Sequence, residues 1–257
     1  MKHLKVRTVL PATVTGAAVL LTWQLASATD VLPVTSVPSM VDTSAELGRQ
    51  LAEGSFWATV AQTVRSWAVG LALATLLAIV VGLLLGSVPF LRQSCSMVIE
   101  LLKPIPPVAV IPLALLLWGP SLTMALVLVT FGAFWPLLTQ VLYGVAAVDP
   151  LSTDMARSYG LSRMRTLRYV LVPSVLPFIA TGLRLAASIA LIVDIVAELV
   201  GGAPGLGKSI IDAETSNALA QLYADVIFAG MLGLAVSLLF TSVERPFLRW
   251  HRPSGGE

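Results

Sequence analysis

The chain is short of charge. Of its 257 residues, 12% are Asp, Glu, Lys or Arg, about half of the roughly 25% found in an ordinary soluble domain. With 56% apolar residues and a mean hydropathy of +0.87, too few polar side chains exist to coat a water-facing globule, and the composition is that of an integral membrane protein. The same composition excludes a disordered chain. Cys95 is the only cysteine, which excludes a disulfide scaffold. His3 and His251 are the only histidines, so the residues for a His/Cys metal site are missing. A net charge of +2 lacks the basic excess of a nucleic-acid binder. Internal repeats and low-complexity tracts are absent as well.

Long apolar runs are what the chain does have. A membrane helix needs about 20 mostly apolar residues, because lipid cannot satisfy open backbone groups. Six stretches qualify, near Val9–Ser27, Val64–Gly86, Met97–Trp118, Leu122–Val145, Val175–Val200 and Ala224–Val243. The expected fold is therefore all-α and polytopic, with six transmembrane helices in a lipid bilayer. Pro104, Pro106, Pro107 and Pro112 interrupt the third stretch, so it cannot be one regular helix. Such a break belongs either to a kinked packing helix or to a segment lining a pathway.

Lys and Arg set the orientation. With the N-terminus inside, the inner segments hold Lys2, Lys5, Arg7, Arg92, Arg157, Arg163, Arg165, Arg168, Arg245, Arg249 and Arg252, against Arg49 and Lys208 outside. Both termini are then cytoplasmic, and the location is the cytoplasmic (inner or plasma) membrane. Ala26-Ser27-Ala28 fits a signal-peptidase site, but the apolar run before it is long and carries Pro11, so retention of residues 1–28 as a first helix is expected. The layout that follows is an N-terminal helix at 1–28, an extracytoplasmic segment at 29–56, a transmembrane domain at 57–250 with an inner loop at 149–173, and a tail at 251–257. In the outer segment, Ser39 can cap a short helix with Met40, Leu47 and Leu51 on one side, expected to lie on the outer membrane surface.

Gly202-Ala203-Pro204-Gly205-Leu206-Gly207-Lys208-Ser209 satisfies the phosphate-loop pattern GxxxxGK[ST]. Its context is wrong, since it follows a membrane helix rather than a strand and faces away from cytoplasmic ATP. The expectation is no nucleotide site here, only a Gly-rich outer turn that starts a short helix.

The longest inner loop runs from Asp149 to Val172. Asp149-Pro150 reads as an N-cap with proline at the first helical position, and Leu151, Met155 and Tyr159 share a face. Gly160 supplies a stop, Ser162 can cap a second helix with Met164, Leu167 and Leu171 on one face, and Pro173 ends it. Two short helices hinged at a glycine make a docking element. A helix resting on anionic lipid heads is the other reading.

Asp154-Met155-Ala156-Arg157-Ser158-Tyr159-Gly160, followed by Val170 and Pro173, resembles the EAA loop (EAAxxxGx9IxLP) of ABC-importer permeases. Asp154, Met155 and Val172 depart from that pattern. The likeness extends from about Leu32 to Arg249. The proline-rich stretch Lys103–Leu113, Gly182-Leu183-Arg184, Ala197-Glu198 and Gly205-Leu206-Gly207 resemble the nitrate/sulfonate/taurine branch. The resemblance implies a type I ABC-importer permease bundle whose loop, through Asp154, Met155, Ala156, Arg157, Tyr159, Gly160 and Pro173, couples to a cytoplasmic ABC ATPase. It also implies a permease homodimer, an extracytoplasmic substrate-binding protein, and ATP and Mg on the partner rather than any cofactor in this chain. No catalytic residue is expected. The substrates implied are small organic or inorganic anions such as nitrate, sulfonates or taurine, or vitamin precursors.

Arg184, Asp194 and Glu198 are ionisable groups in the fifth stretch, where charge is costly. They line an aqueous pathway or dimer seam, or else Arg184 and Glu198 snorkel toward the ends. Pro104, Pro106 and Pro107 join them as pathway candidates. Glu100 and Lys103, three residues apart, can neutralise each other. Two other readings stay open: a self-sufficient secondary transporter or channel using Asp194 and Glu198, and a membrane-bound NTPase built on Lys208.

Overall fold

A computed structural model of the chain describes Thr15, Ala18, residues 21–27 and residues 37–249. Most of the first predicted stretch, Ala28 of the cleavage pattern, Lys2, Lys5, Arg7, Arg252 and the tail at 251–257 lie outside the described residues. The described residues are helical and contain no strand. They fall into two compact units, one of residues up to Thr59 together with Ser209–Gly230, the other of Val60–Lys208 together with residues from Met231 on.

In the first unit, α1 (Met40–Leu51) starts where the sequence predicts, with the Ser39 side chain accepting from the amide of Asp42 at 3.0 Å. Its buried residues are Thr43 and Gln50, while Leu51 is 41% exposed. Met40 and Leu47 are half-buried on the same side as Thr43 and Gln50, and Gln50 bonds to the buried Asp225. Asp225 also accepts from Ser209 Oγ at 2.6 Å. Arg49 pairs with Glu46 and Glu53 on the exposed side, and its hydrogen bond holds the Glu46 carboxyl below the usual range. A depressed carboxyl contributes stability above its unfolded pKa and loses it as pH falls through the folded value. Phe56 packs edge-on against Phe228 with centroids 4.8 Å apart.

In the second unit, α2 (Gly54–Ser87) carries Gly70, Ala74, Ala78, Gly82 and Gly86, one small residue per turn on one stripe. The helix starts ahead of the predicted Val64 because no proline interrupts the run from Gly54 onward. A Cβ added at Gly70, Gly82 or Gly86 would stand 2.5, 2.5 and 2.7 Å from Val129, Val141 and Val145 of α5 (Leu122–Ala146). The offset between partners is the same at all three contacts, so α2 and α5 run parallel in close contact. Two parallel neighbours require the chain between them to cross back. That return is α3 (Pro89–Leu102) and α4 (Ile111–Trp118), joined by a 3-10 turn at Pro107–Val110 and bent by 81°. The prolines therefore break the third stretch as expected, although its first helix begins at Pro89 rather than Met97.

After α5 come α6 (Pro150–Ser158), α7 (Arg163–Thr166), a π-helical turn at Leu167–Leu171, α8 (Val172–Gly201), α9 (Leu206–Thr215) and α10 (Leu219–Arg249). Gly144 meets Val175 and Phe178, Gly132 meets Val193, and Gly201 meets Met124, which sets α8 antiparallel to α5. Ala186, Ala187 and Ala190 of α8 are fully buried in the same core as Ala74 and Ala78. Three helices among the described residues are long and apolar enough to cross a membrane, at 54–87, 122–146 and 219–244, and the bent pair makes up to four. The fifth predicted stretch lies within α8, whose 30 residues extend about 45 Å.

The small stripe leads to a paired prediction. Gly82→Ala pushes a methyl group into the branched Val141 and is expected to cost about 2 kcal/mol, whereas Gly48→Ala, with nothing within 4 Å, is expected to stabilise α1 by roughly 0.5 kcal/mol. Thermal unfolding of the purified full chain in detergent reads both.

Candidate functional site

The loop between α5 and α8 is built by local capping. Asp149 accepts from the amide of Leu151 at 3.0 Å and Pro150 opens α6. At the other end Gly160 takes φ +71, its amide bonds to Arg157 O, and the Leu161 amide bonds to Ala156 O. This double bond pattern around a left-handed glycine is a Schellman stop. Any L side chain at Gly160 would be strained by its backbone, though nothing lies within 4 Å of it.

Ala156 is the only buried residue of α6. Leu151, Met155 and Tyr159, the face predicted from spacing, are 60%, 53% and 85% exposed. Three apolar side chains are thus held on the outward face of one short helix. Arg157 and Asp154 form an exposed pair at 3.6 Å, which contributes little by itself. Behind the loop an open cavity of about 850 Å³ is lined in part by Thr153, Arg157, Leu161 and Leu167.

The second arm differs from expectation. Pro173 does not end it, since helix continues from Arg163 into α8 without a break. The π-helical turn at Leu167–Leu171 sits where a proline ring would meet the carbonyl four residues earlier, and the wider turn accommodates it. The loop is thereby joined rigidly to α8.

The buried carboxylates occupy the other end of α8. Asp194 and Glu198 have no exposure. Ser66 Oγ lies 2.7 Å from Asp194 Oδ2. Thr63 donates to Glu198 Oε2 at 3.1 Å while accepting from the Leu206 amide at 2.9 Å. The Gly207 amide donates to the same Glu198 oxygen at 2.8 Å. Gly202, at φ +70, ends α8, and a Cβ at Gly205 or Gly207 would collide with Glu198. The phosphate-loop pattern is thus a tight turn packed on the protein's own Glu198, which accepts the Gly207 amide directly and meets the Leu206 amide through Thr63. Glu198 does not snorkel outward. The sequence signal for its partners was the hydroxyl pair at Thr63 and Ser66, spaced one turn apart like Asp194 and Glu198.

Arg184 stands apart from this group. It pairs at 2.8 Å with Glu244 of α10, whose other oxygen accepts from Thr181 at 2.6 Å. Glu244 is 6% exposed and was not singled out from the sequence, where its place near the end of the last apolar stretch hid its role. Pro107 packs against Gly132 of α5, while Pro104 and Pro106 lie in the bend between α3 and α4. The structure brings Arg184 together with Glu244, and Asp194 and Glu198 together with Ser66 and Thr63, but leaves these two groups at separate levels of α8.

An apolar helical bundle with three helices among its described residues long enough to cross a membrane has the architecture of a membrane-embedded subunit. Residues 78–249 match the family described as binding-protein-dependent transport system inner membrane component, and the chain belongs to that family. Similar proteins include the nitrate import permease of Leptolyngbya laminosa, 29% identical over 73% of this chain and 67% of its own length. The bicarbonate transport system permease of Synechococcus elongatus is 32% identical over 77% of this chain and 72% of its own. The taurine transport system permease of Escherichia coli is 29% identical over the same shares. Among solved structures, a bacterial ABC transporter for import of the acidic polysaccharide alginate shares the fold with a TM-score of 0.67 at 14% identity, over 95% of each chain. The protein is the transmembrane permease subunit of an ABC importer. Such subunits are not themselves enzymes, and an importer permease works with an ATPase and a binding protein.

Removing the acceptor at the outer turn tests its packing. Glu198→Ala leaves the Gly207 amide and the Thr63 hydroxyl without it and is expected to cost about 1–3 kcal/mol, while Glu198→Gln retains a carbonyl oxygen and loses less. Protease resistance of the 202–208 turn in the full chain reads the difference.

Proposed function

We propose that a cytoplasmic ABC ATPase seats on the loop through Asp154, Met155, Ala156, Arg157, Tyr159 and Gly160. Two copies of this chain form the pathway, and the cargo is a small organic or inorganic anion received from an extracytoplasmic binding protein. The single observation carrying the docking reading is the outward apolar face of α6, ended by a Schellman stop at Gly160. ATP and Mg belong to the partner ATPase. When that partner moves α6, the continuous helix through Pro173 delivers the displacement to α8. The positive-inside asymmetry supports an inner loop and inner termini. An anionic cargo is supported by relatives named for nitrate, bicarbonate and taurine and by Arg184, a half-exposed cation within α8. In this reading the proline break and Arg184 flank the path, and Asp194 and Glu198 act as internal struts beside it.

Gly160→Glu forces a charged side chain into left-handed backbone, and Met155→Asp places charge in the exposed face without backbone strain. Each is expected to reduce co-purification of the ATPase by about tenfold or more, the factor for roughly 1.4 kcal/mol, with membrane insertion retained. Unchanged co-purification of both variants overturns docking through this loop.

A further inference from the structure

Helix α3 is amphipathic in the sense opposite to a helix on a water-soluble core. Phe90, Met97, Val98 and Leu101 are 75%, 70%, 54% and 65% exposed. Arg92, Ser96, Glu100 and Lys103 recur at i, i+4, i+8 and i+11 and share the other face. That face turns toward α5, where with Thr139 and Tyr143 it lines a cavity of about 210 Å³. At about 30 Å³ per water, the space holds a small solute. All four of these polar residues are exposed, and ionisable groups on a helix of a membrane bundle belong beside water or protein, which the cavity supplies. Among the described residues Glu100 forms no close ion pair with Lys103 or Arg92, and all three line the cavity. Two cations are left facing the cavity against one carboxylate.

The geometry points to a transit site for a small singly charged oxyanion, a carboxylate or sulfonate included, between α3 and α5. Arg92 and Lys103 attract it, and the hydroxyls of Ser96, Thr139 and Tyr143 donate to its oxygens. Glu100 keeps the net charge of the site at a single positive unit, so the solute is held weakly enough to leave, as conduction requires. The inference rests on the reading of this chain as a translocation pathway and assigns residues of that path that Arg184 and the proline break do not include.

The test uses the full chain in membrane vesicles, with Ser96→Cys in a Cys95→Ser background. The thiolate is reacted with anionic 2-sulfonatoethyl methanethiosulfonate or cationic 2-(trimethylammonium)ethyl methanethiosulfonate. Each forms a mixed disulfide and releases methanesulfinate. Both reagents are expected to react, with the anionic one favoured relative to a free thiol in solution. Arg92→Gln and Lys103→Gln are each expected to lower that preference about fivefold, the factor for one unit charge roughly 4 Å away in water, while Arg92→Lys retains it. Sodium nitrate is expected to slow the anionic reagent more than sodium chloride at equal ionic strength. The site is overturned if neither reagent reacts, if the preference is unmoved by both charge-removing variants, or if nitrate protects no better than chloride. ATPase co-purification with the same variants separates the two readings: if it persists while the labelling test fails, the transit site is wrong and the importer assignment stands.

Discussion

The close approach of α2 to α5 is the contact on which the rest of the second unit depends. In lipid, association of helices gains nothing from expelling water and relies on van der Waals contact, which small residues maximise. Gly70, Ala74, Ala78, Gly82 and Gly86 form a groove one residue wide, and Val129, Val141 and Val145 fill it. Because every contact keeps one offset, the two helices are locked in register as well as in distance. Their shared direction then obliges α3 and α4 to return between them. The 81° bend is how that return is made by a stretch with four prolines.

Polar side chains do the remaining joining. Glu198 ties α2, α8 and the outer turn through Thr63 and the Gly207 amide. Asp194 repeats the contact to α2 one turn away through Ser66. Glu244 ties α10 to α8 through Arg184 and Thr181. Each carboxylate in a low-dielectric interior is costly unless satisfied, so these positions fix which helix faces meet. The outcome is a bundle stiff along α8, the helix that continues directly from the loop after α5.

That continuity gives the loop its mechanical meaning. In the docking reading proposed above, with a left-handed glycine on one side and an unbroken helix on the other, a displacement of the loop would pass into α8. The exposed apolar side chains of α6 would supply the grip, and the Schellman bonds to Arg157 and Ala156 hold the end of α6 in shape. An importer permease whose energy source lies in another subunit needs both properties.

The helical class, the placement of α5 and α8, the Ser39 and Asp149 caps and the stop at Gly160 were all legible in the sequence, because each depends on residues within a few positions of one another. The apolar face of α6 was legible for the same reason. Other features required contacts between residues far apart in the chain, and no local pattern encodes them: the bond of Gln50 to Asp225, the pairing of Arg184 with Glu244, and the packing of the phosphate-loop pattern around Glu198. The helix running through Pro173 is the intermediate case, since proline predicts a break locally and only the wider π-helical turn before it removes the clash. Composition and periodicity alone determined that this is a helical membrane protein with a glycine-hinged loop between two of its helices. Which carboxylate meets which donor, and which face of α3 meets the interior, was decided by the tertiary structure, because inside a bilayer the satisfaction of buried polar groups depends on helices that are neighbours in space and not in sequence.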